Sequence, residues 1–423
     1  MMTARDFGLL PRDVLLAFFL FSGFLKAAQL LSGPGDLTVV GFVIVAALVA
    51  FGLVVRPIYL SRSSRHFITG FAVFSIVALL GYLVGEGGDD ARKKFLQLVF
   101  VGGLGVFAAP VLITSTSRLR GFFLLTISLG VLCGAVVLLG NDPDVKRDVL
   151  GGGEGSYQWL SRMSCYAATT ALGLAFASGS KMGRLVLLTC AAVSGVSLFT
   201  GGARQALVAI TVVIAYLGFM SPATVRSKRS GQRWRVFLLI GFVAVAVAFL
   251  LGRFDLLESS GVNRFVDFST QVATFNIGQL AELSDRPEIY ADAARIFAEH
   301  PVIGSGWGAF QFHAETTQYR HAHNVFLELL SELGLVGLVA FLAMLVPVVR
   351  IVASRTRIRS AGPLATTCAA LVLAQLTMMQ FSGDLGTNRL FFFFCMLLLV
   401  AMRVEKQEPT SRRKRYALGS ESM

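Results

Sequence analysis

Apolar stretches of similar length recur along nearly the whole chain, and short polar segments separate them. A bilayer's hydrocarbon layer is roughly 30 Å thick, and an α-helix of about 20 residues crosses it. The pattern predicts twelve membrane-spanning helices, at approximately 13–32, 37–55, 67–85, 95–114, 121–140, 163–178, 183–201, 204–220, 236–252, 325–349, 363–381 and 389–402. The stretches are continuously apolar and do not alternate with polar positions, which excludes the strands of a membrane barrel. The predicted fold is therefore an all-α polytopic membrane protein.

The composition agrees with this class, because 55% of the residues are hydrophobic and only 15% are charged. Soluble domains carry about 25% charged residues. No cleavable signal peptide is expected, since Arg12 and Asp13 lead into a full-length apolar stretch without a small-residue cleavage site. The five cysteines fall inside or at the edges of predicted spans without metal-type spacing, and we interpret them as packing residues.

Basic residues are concentrated on one side of the predicted bundle, and this fixes its orientation. If the N-terminus is inside, most of the 38 Lys and Arg residues fall in both termini and in loops 56–66, 115–120, 179–184, 221–235 and 350–362. The positive-inside rule then predicts that both termini are cytoplasmic. The net charge of +13 is explained by anchors near anionic membrane lipids, and no nucleic-acid partner is expected.

One connection is much longer than the others and lies on the predicted periplasmic side. The predicted divisions are spans one to nine (1–252), a large periplasmic loop (253–322), spans ten to twelve (323–402) and a basic cytoplasmic tail (403–423). Loops of this length are usually functional or disordered, and apolar periodicity around Tyr290 to Phe297 favours packed short helices. The smaller loops 86–94 and 141–162 on the same side are expected to fold beside it.

A polar stripe marks the beginning of the tenth predicted span. On a helix, Asn324, Glu328 and Glu332 stand at positions i, i+4 and i+8 and share one face. A carboxylate at membrane depth costs about 2.5 to 3.5 kcal/mol and generally faces a cavity or a partner. We therefore expect the stripe to line an aqueous pocket. Gly334 and Gly337 are expected to let a neighbouring helix approach closely below it.

Four of the five histidines lie in the large loop or at the start of the tenth span, at His300, His313, His321 and His323. Their spacing matches no established set of metal ligands, so a metal site is not favoured. His323 would lie at the outer N-terminus of a helix, where free amides and the helix dipole favour a bound anion. A surface histidine without a role is the alternative interpretation from this chain alone.

Two further elements on the outer side carry candidate binding residues. Arg204 follows a tight turn between the seventh and eighth spans, where it cannot anchor orientation and needs an anionic partner. In the large loop, Arg286 precedes a glycine-rich segment that surrounds Trp307. The glycines suit a close backbone approach, with Trp307 as a flat apolar platform; turn packing alone is the equally open alternative.

The His-Asn pair, followed by nine residues and then Gly-x-x-Gly, resembles the signature shared by bacterial O-antigen ligases and O-antigen polymerases. The preceding Gly-x-Gly-Trp-Gly segment and the small-small-Arg turn are similar in order and spacing. These motifs cover about 197–340, and the twelve-span topology extends the resemblance over most of the chain. The resemblance implies a GT-C-like fold in which His323 is the catalytic histidine and Arg204 and Arg286 bind a diphosphate.

The remaining site residues are less closely defined by the resemblance. Arg264, Arg295 and Arg320 compete with Arg286 for the diphosphate, because the loop of this family is variable. Asn324, Glu328, Trp307 and Arg320 would support the site or line an acceptor groove, and Glu328 would otherwise orient His323. The family is metal-independent, so neither a metal nor another cofactor is expected.

The predicted topology restricts the chemistry, since the outer side of a bacterial inner membrane lacks nucleotide sugars and ATP. A sugar donor there must be carried by lipid. The implied activity is an inverting glycosyl transfer from undecaprenyl diphosphate to an acceptor sugar hydroxyl, with an active site that faces the periplasm. The acceptor is either lipid A core, in a ligase, or a repeat unit of O-antigen or exopolysaccharide, in a polymerase. His323 would act as general base, and the two arginines would stabilise the leaving diphosphate.

Two alternatives come from other functional classes. A twelve-span secondary transporter would be expected to show two related halves with a site at mid-membrane. The chain shows no related halves, and it shows no ionisable cluster at mid-membrane outside the tenth span. A non-catalytic scaffold of an export complex would predict that replacement of His323 has no effect.

Overall fold

The computed structural model describes residues 11–27, 37–55, 57–139, 156–178, 180–200, 204–220, 286–315, 319–381, 385–386 and 388–407. This part of the chain is almost entirely helical and contains no β-strand. The helices, numbered in chain order, are α1 (Pro11–Ala27), α2 (Leu37–Val55), α3 (Arg62–Val84), α4 (Gly88–Leu112), α5 (Thr116–Leu139), α6 (Ser156–Ala177), α7 (Lys181–Thr200), α8 (Arg204–Met220), α9 (Arg286–Glu299), α10 (Phe310–His313), α11 (Val325–Val352), α12 (Arg355–Ala361), α13 (Pro363–Met378) and α14 (Arg389–Gln407).

The all-helical class is confirmed, and every predicted span within the described residues coincides with a helix. The ninth predicted span, 236–252, lies outside the described residues, as does the first half of the large loop. By length and composition, α3, α4, α5 and α11 could each cross a membrane. The count of twelve crossings stays a prediction.

The last helix, α14, occupies the centre of the packed bundle. Its four consecutive phenylalanines, Phe391 to Phe394, have no exposed surface. The ring of Phe392 packs edge-on against Phe71 of α3 at 5.0 Å, and that of Phe391 lies 5.8 Å from Phe341 of α11. A helix that is apolar on all faces is expected to be buried. The aromatic side chains of α14 thus hold the neighbouring helices around it.

The helix ends fall into two groups, one at each end of the bundle. At the first end, the contacts are Lys94 with Glu332, Tyr166 with Gln375, and Arg389 with Ser22. At the second end, they are His66 with Ala343, Tyr216 with Val352, and Arg403 with Tyr59. The first group joins ends that were predicted to lie outside, and the second joins ends that were predicted to lie inside. The alternating direction of these helices follows from the contacts; the membrane side that each end faces stays a prediction.

Candidate functional site

Asn324 ends the loop and caps the N-terminus of α11. Its Oδ1 accepts hydrogen bonds from the amides of Phe326 at 3.0 Å and Leu327 at 3.2 Å, while its Nδ2 donates to the Gln380 carbonyl at 3.4 Å. Asparagine is among the favoured capping residues because it satisfies amides that lack a partner within the helix. Asn324 therefore precedes the helix, and the expected stripe over Asn324, Glu328 and Glu332 is reduced to the two glutamates.

His323 stands directly before this cap in an unusual backbone conformation. Among the residues that the structure describes, it is the one non-glycine residue with a positive φ, of 52°. Such a conformation costs about 1 to 3 kcal/mol, persists only where neighbouring contacts hold it, and is common at functional sites. The half-buried imidazole lies 4.3 Å from the ring of His321 and 5.2 Å from that of Tyr319, measured between centroids. The ring of His323 thus contacts two other rings at the N-terminus of α11.

Both glutamates of α11 bind one lysine from α4. The Lys94 ammonium lies 2.5 Å from the Glu328 carboxylate and 2.6 Å from that of Glu332. The two carboxylates are 1% exposed and the lysine side chain is 10% exposed. The prediction that the glutamates line an aqueous pocket is therefore wrong. A buried carboxylate requires an opposite charge, and Lys94 supplies it for both.

Backbone amides from two other segments complete this ion cluster. Glu328 accepts hydrogen bonds from the amide of Leu385 at 3.2 Å, and Glu332 accepts one from the amide of Gly308 at 2.8 Å. The cluster thereby ties α4, α11, the loop before α10 and the turn before α14 to one another. Lys94 was predicted to lie in the loop 86–94 before the fourth span, and the structure places it in the second turn of α4.

Gly334 interrupts α11 below the ion cluster. Its φ of 62° and ψ of −158° lie outside the helical region. The carbonyls of Ser331 and Glu332 accept from the amides of Ser305 at 2.9 Å and Gly306 at 2.9 Å, which replace the helical partners. The amides of Leu335 and Val336 donate to the carbonyls of Pro301 at 2.9 Å and Val302 at 3.1 Å. A break at membrane depth is tolerated only when such groups find partners inside the protein, as they do here.

Residues 301–306, named here the inserted loop, provide these hydrogen bonds, and they correct the expected role of the glycines in α11. A Cβ on Gly334 would lie 2.5 Å from the carbonyl carbon of Val302, so this position admits a loop and not a second helix. A Cβ on Gly337 would meet the side chain of Leu333 in the same helix. Neither glycine of the signature's Gly-x-x-Gly leaves room for a side chain, and Gly334 supplies the positive φ at the break.

Trp307 lies in the glycine turn that follows the inserted loop, and it is buried at 1% exposure. Its ring packs edge-on against Phe74 at 6.3 Å, and the Lys94 ammonium lies 4.7 Å from its centroid. The turn is folded against residues 85–91, as expected for loop 86–94; Gly308 contacts Ala91 where a Cβ would clash. Trp307 is therefore buried in packing beside the ion cluster and is not an exposed platform.

The structure describes the side chains of only some of the arginines that are candidates for binding the diphosphate. Arg204 and Arg286 are the first residues of α8 and α9, and their side chains lie outside the described part, as does Arg264. Arg320 is exposed three residues before His323.

Arg295 is engaged by acidic neighbours. Its guanidinium donates to Glu299 at 2.9 Å and to the His313 carbonyl at 2.5 Å, and it lies 3.3 Å from Glu315 and 3.5 Å from Asp292. The hydrogen bond with Glu299, with a further contribution from Glu315, raises the pKa of Arg295 above its usual value. Its charge is compensated within the loop, so Arg295 is a poor candidate for the diphosphate.

The four histidines predicted to lie on the outer side form two pairs. The ring of His300 lies 6.1 Å from that of His313, and His321 packs against His323. Within the part of the chain that the structure describes, no three His, Cys, Asp or Glu side chains are placed to hold a metal ion.

A family model described as O-antigen ligase matches residues 166–342. No curated protein matches the chain. The matched segment covers less than half of the sequence; it contains Arg204, Arg286, His323 and both glutamates of the ion cluster, whereas Lys94 lies outside it. The match confirms the resemblance that the His-Asn signature predicted.

Proposed function

Since the chain carries the O-antigen ligase domain over residues 166–342, we propose that it transfers a glycan from undecaprenyl diphosphate to the hydroxyl of an acceptor sugar. Transfer occurs on the periplasmic face of the bacterial inner membrane and inverts the anomeric carbon. The acceptor is lipid A core if the protein is a ligase, and a further repeat unit if it is a polymerase. The domain supports this class of reaction and gives no support to a transporter.

The observation that carries the proposal is the fixed position of His323. Its backbone is held in a costly left-handed conformation between the Tyr319 and His321 rings and the Asn324 cap. A general base must be presented in one orientation to take a proton along the reaction path, and imidazole titrates near neutral pH. This geometry supports His323 as the base.

In the proposed reaction, the acceptor oxygen attacks the anomeric carbon of the donor sugar while His323 removes the hydroxyl proton. A glycosidic bond forms, and the bond from the anomeric carbon to the diphosphate oxygen breaks. Undecaprenyl diphosphate leaves with the electron pair. The reaction needs no oxidant, no metal and no cofactor.

Arg204 and Arg286 are proposed to bind the leaving diphosphate. Each is the first residue of a helix, so its backbone lies at the positive end of a helix dipole, which also favours an anion. Guanidinium groups bind phosphate oxygens with paired hydrogen bonds and stay charged. Arg320, exposed near His323, is proposed to assist the acceptor.

Glu328 and Glu332 act as positioning residues in this proposal, because their carboxylates are buried and bound to Lys94. They hold α11 against the loop that leads to His323. Groups that bind substrate must be held in place by supporting contacts to within a fraction of an ångström. Of the two roles considered for Glu328, its burial and its bond to Lys94 therefore support orientation of the site over a place in the acceptor groove.

The test is glycan transfer by the purified protein in nanodiscs, with an undecaprenyl-diphosphate oligosaccharide and a metal chelator present. His323→Ala should lower transfer by about 10² to 10⁴-fold, whereas His300→Ala, a matched change in the other histidine pair, should retain it. A single addition would identify a ligase, and a ladder of products a polymerase. Equal transfer by the wild type and His323→Ala with authentic donor and acceptor would overturn the proposal.

A further inference from the structure

A basic cavity lies at the end of the bundle opposite His323. It has a volume of about 330 Å³ and is lined by Arg62, Ser63, His66, Val346, Pro347, Arg350 and Arg357. These residues come from the beginning of α3, the last turns of α11, and α12. Since α11 begins just after His323 and rises about 1.5 Å per residue, the two places are separated by roughly 30 Å. The cavity is therefore distinct from the proposed active site.

The wall of this cavity is held by a contact between His66 and a helix interrupted by proline. Pro347 has no N–H, so the carbonyl of Ala343 loses its partner within α11. The Nε2 atom of His66 lies 3.0 Å from that carbonyl oxygen. Because a carbonyl only accepts, Nε2 must carry a hydrogen and donate it, so this bond holds the beginning of α3 against α11.

A second cavity, of about 510 Å³, adjoins the first, and Ser63 and Arg357 line both. It adds the basic side chains of Arg403 and Lys406 and the apolar side chains of Ile351, Leu399 and Met402. In the part of the chain that the structure describes, no Asp or Glu lines either cavity. The first cavity is thus strongly basic, and the second is partly basic and partly apolar.

We propose that this basic cavity binds a phosphate-bearing ligand, with the phosphate between Arg62, Arg350 and Arg357. Several guanidinium groups around one space repel each other unless an anion lies among them, and phosphate matches their paired donors. The ligand is either the headgroup of an acidic phospholipid or a soluble phosphate. Basic pockets between helices at the end predicted to be cytoplasmic suit lipid headgroups, and the apolar side chains of the second cavity suit part of an acyl chain.

Binding to full-length protein in detergent would be measured with labelled phosphatidylglycerol, with phosphatidylcholine as the uncharged comparison and inorganic phosphate as competitor. The wild type should retain phosphatidylglycerol selectively. Arg62→Gln/Arg350→Gln should weaken binding by about 30-fold, from about 1 kcal/mol for each basic residue near an anionic headgroup. Resistance to phosphate competition would identify the lipid as ligand, and displacement by phosphate would identify a soluble phosphate.

Two further variants distinguish binding inside the cavity from general electrostatic attraction of an anionic ligand to the basic protein surface. Arg65→Gln/Lys181→Gln removes the same charge from exposed positions that line neither cavity, and should bind as the wild type does. Ser63→Asp puts an acid into the cavity at the first turn of α3, where an acidic side chain stabilises the helix. It should lose binding while it keeps its unfolding temperature. Equal losses in the two double variants would overturn the proposal, as would a wild type that neither retains phosphatidylglycerol selectively nor binds inorganic phosphate.

Discussion

The ammonium of Lys94 lies 2.6 Å from the carboxylate of Glu332, and this ion pair joins residues 238 positions apart in the chain. Glu328 shares the same ammonium at 2.5 Å, so two buried carboxylates depend on one cation. The cluster lies between the loop that reaches His323 and the break in α11. Through this cluster α4, which lies outside the matched segment, contacts the helix that begins two residues after His323.

Lys94→Met should destabilise the protein by about 3 to 5 kcal/mol, because it leaves two buried carboxylates without a cation. Thermal unfolding in detergent would measure the change. Lys93→Met is the matched control, since that side chain is 67% exposed and its ion pair with Asp90 is on the surface. Adding Glu328→Gln and Glu332→Gln to Lys94→Met should restore part of the loss. An unfolding temperature equal to that of Lys93→Met would show that the cluster does not stabilise the fold.

The sequence predicts the helices well, because side chains that face lipid and side chains that pack in the protein core are both apolar along the whole length of a spanning helix. It places their ends less well. The third span was predicted from Phe67, but α3 begins at Arg62, where Ser61 accepts a hydrogen bond from the Ser64 amide and caps the helix. Polar residues continue a helix beyond the apolar layer, and hydropathy alone does not register them.

The ion cluster and the helix break could not be predicted, since both depend on contacts between distant segments. Lys94 follows Arg92 and Lys93 in a charged loop and looks like a surface residue. Glu328 and Glu332 stand in an apolar stretch of the sequence, which indicates that their carboxylates need a cation. The sequence does not indicate which of several basic residues supplies it. Gly334 stands in a continuously apolar stretch, and the backbone groups of the residues around it bond to a loop about 30 residues earlier.

Gly334→Ala should disrupt the break in α11. A Cβ there would strain the positive φ and would lie 2.5 Å from the carbonyl carbon of Val302, so both the backbone and the inserted loop must shift. We expect a loss of glycan transfer and a lower unfolding temperature. Gly195→Ala, in α7, is the control because a Cβ there meets nothing within 4 Å, and alanine favours a helix. Unchanged transfer by Gly334→Ala would show that the break is not needed.

Trp307 provides a test that separates packing from acceptor binding. Its indole Nε1 has no hydrogen-bond partner among the described residues, so Trp307→Phe loses volume and little else. We expect this variant to keep the acceptor KM, while Trp307→Ala lowers stability by about 3 to 5 kcal/mol through the cavity that it leaves. Transfer assays over a range of acceptor concentrations would measure KM. If Trp307→Phe keeps normal stability but shows a large rise in the acceptor KM, Trp307 contacts the acceptor.

The two loop arginines Arg286 and Arg295 should behave differently toward the donor. Arg295 already has three acidic neighbours and binds the His313 carbonyl, so Arg295→Gln should leave kcat/KM for the lipid-linked donor within a few-fold of the wild type. Arg286→Gln should lower it by about 10² to 10³-fold, as expected when a group that stabilises a developing charge is lost. Steady-state transfer with varied donor would compare them, and Arg286→Lys should recover little, because an ammonium lacks the paired donors. If Arg295→Gln has the larger effect, the diphosphate is bound by α9 through Arg295, and its acidic neighbours must then separate from it when the donor binds.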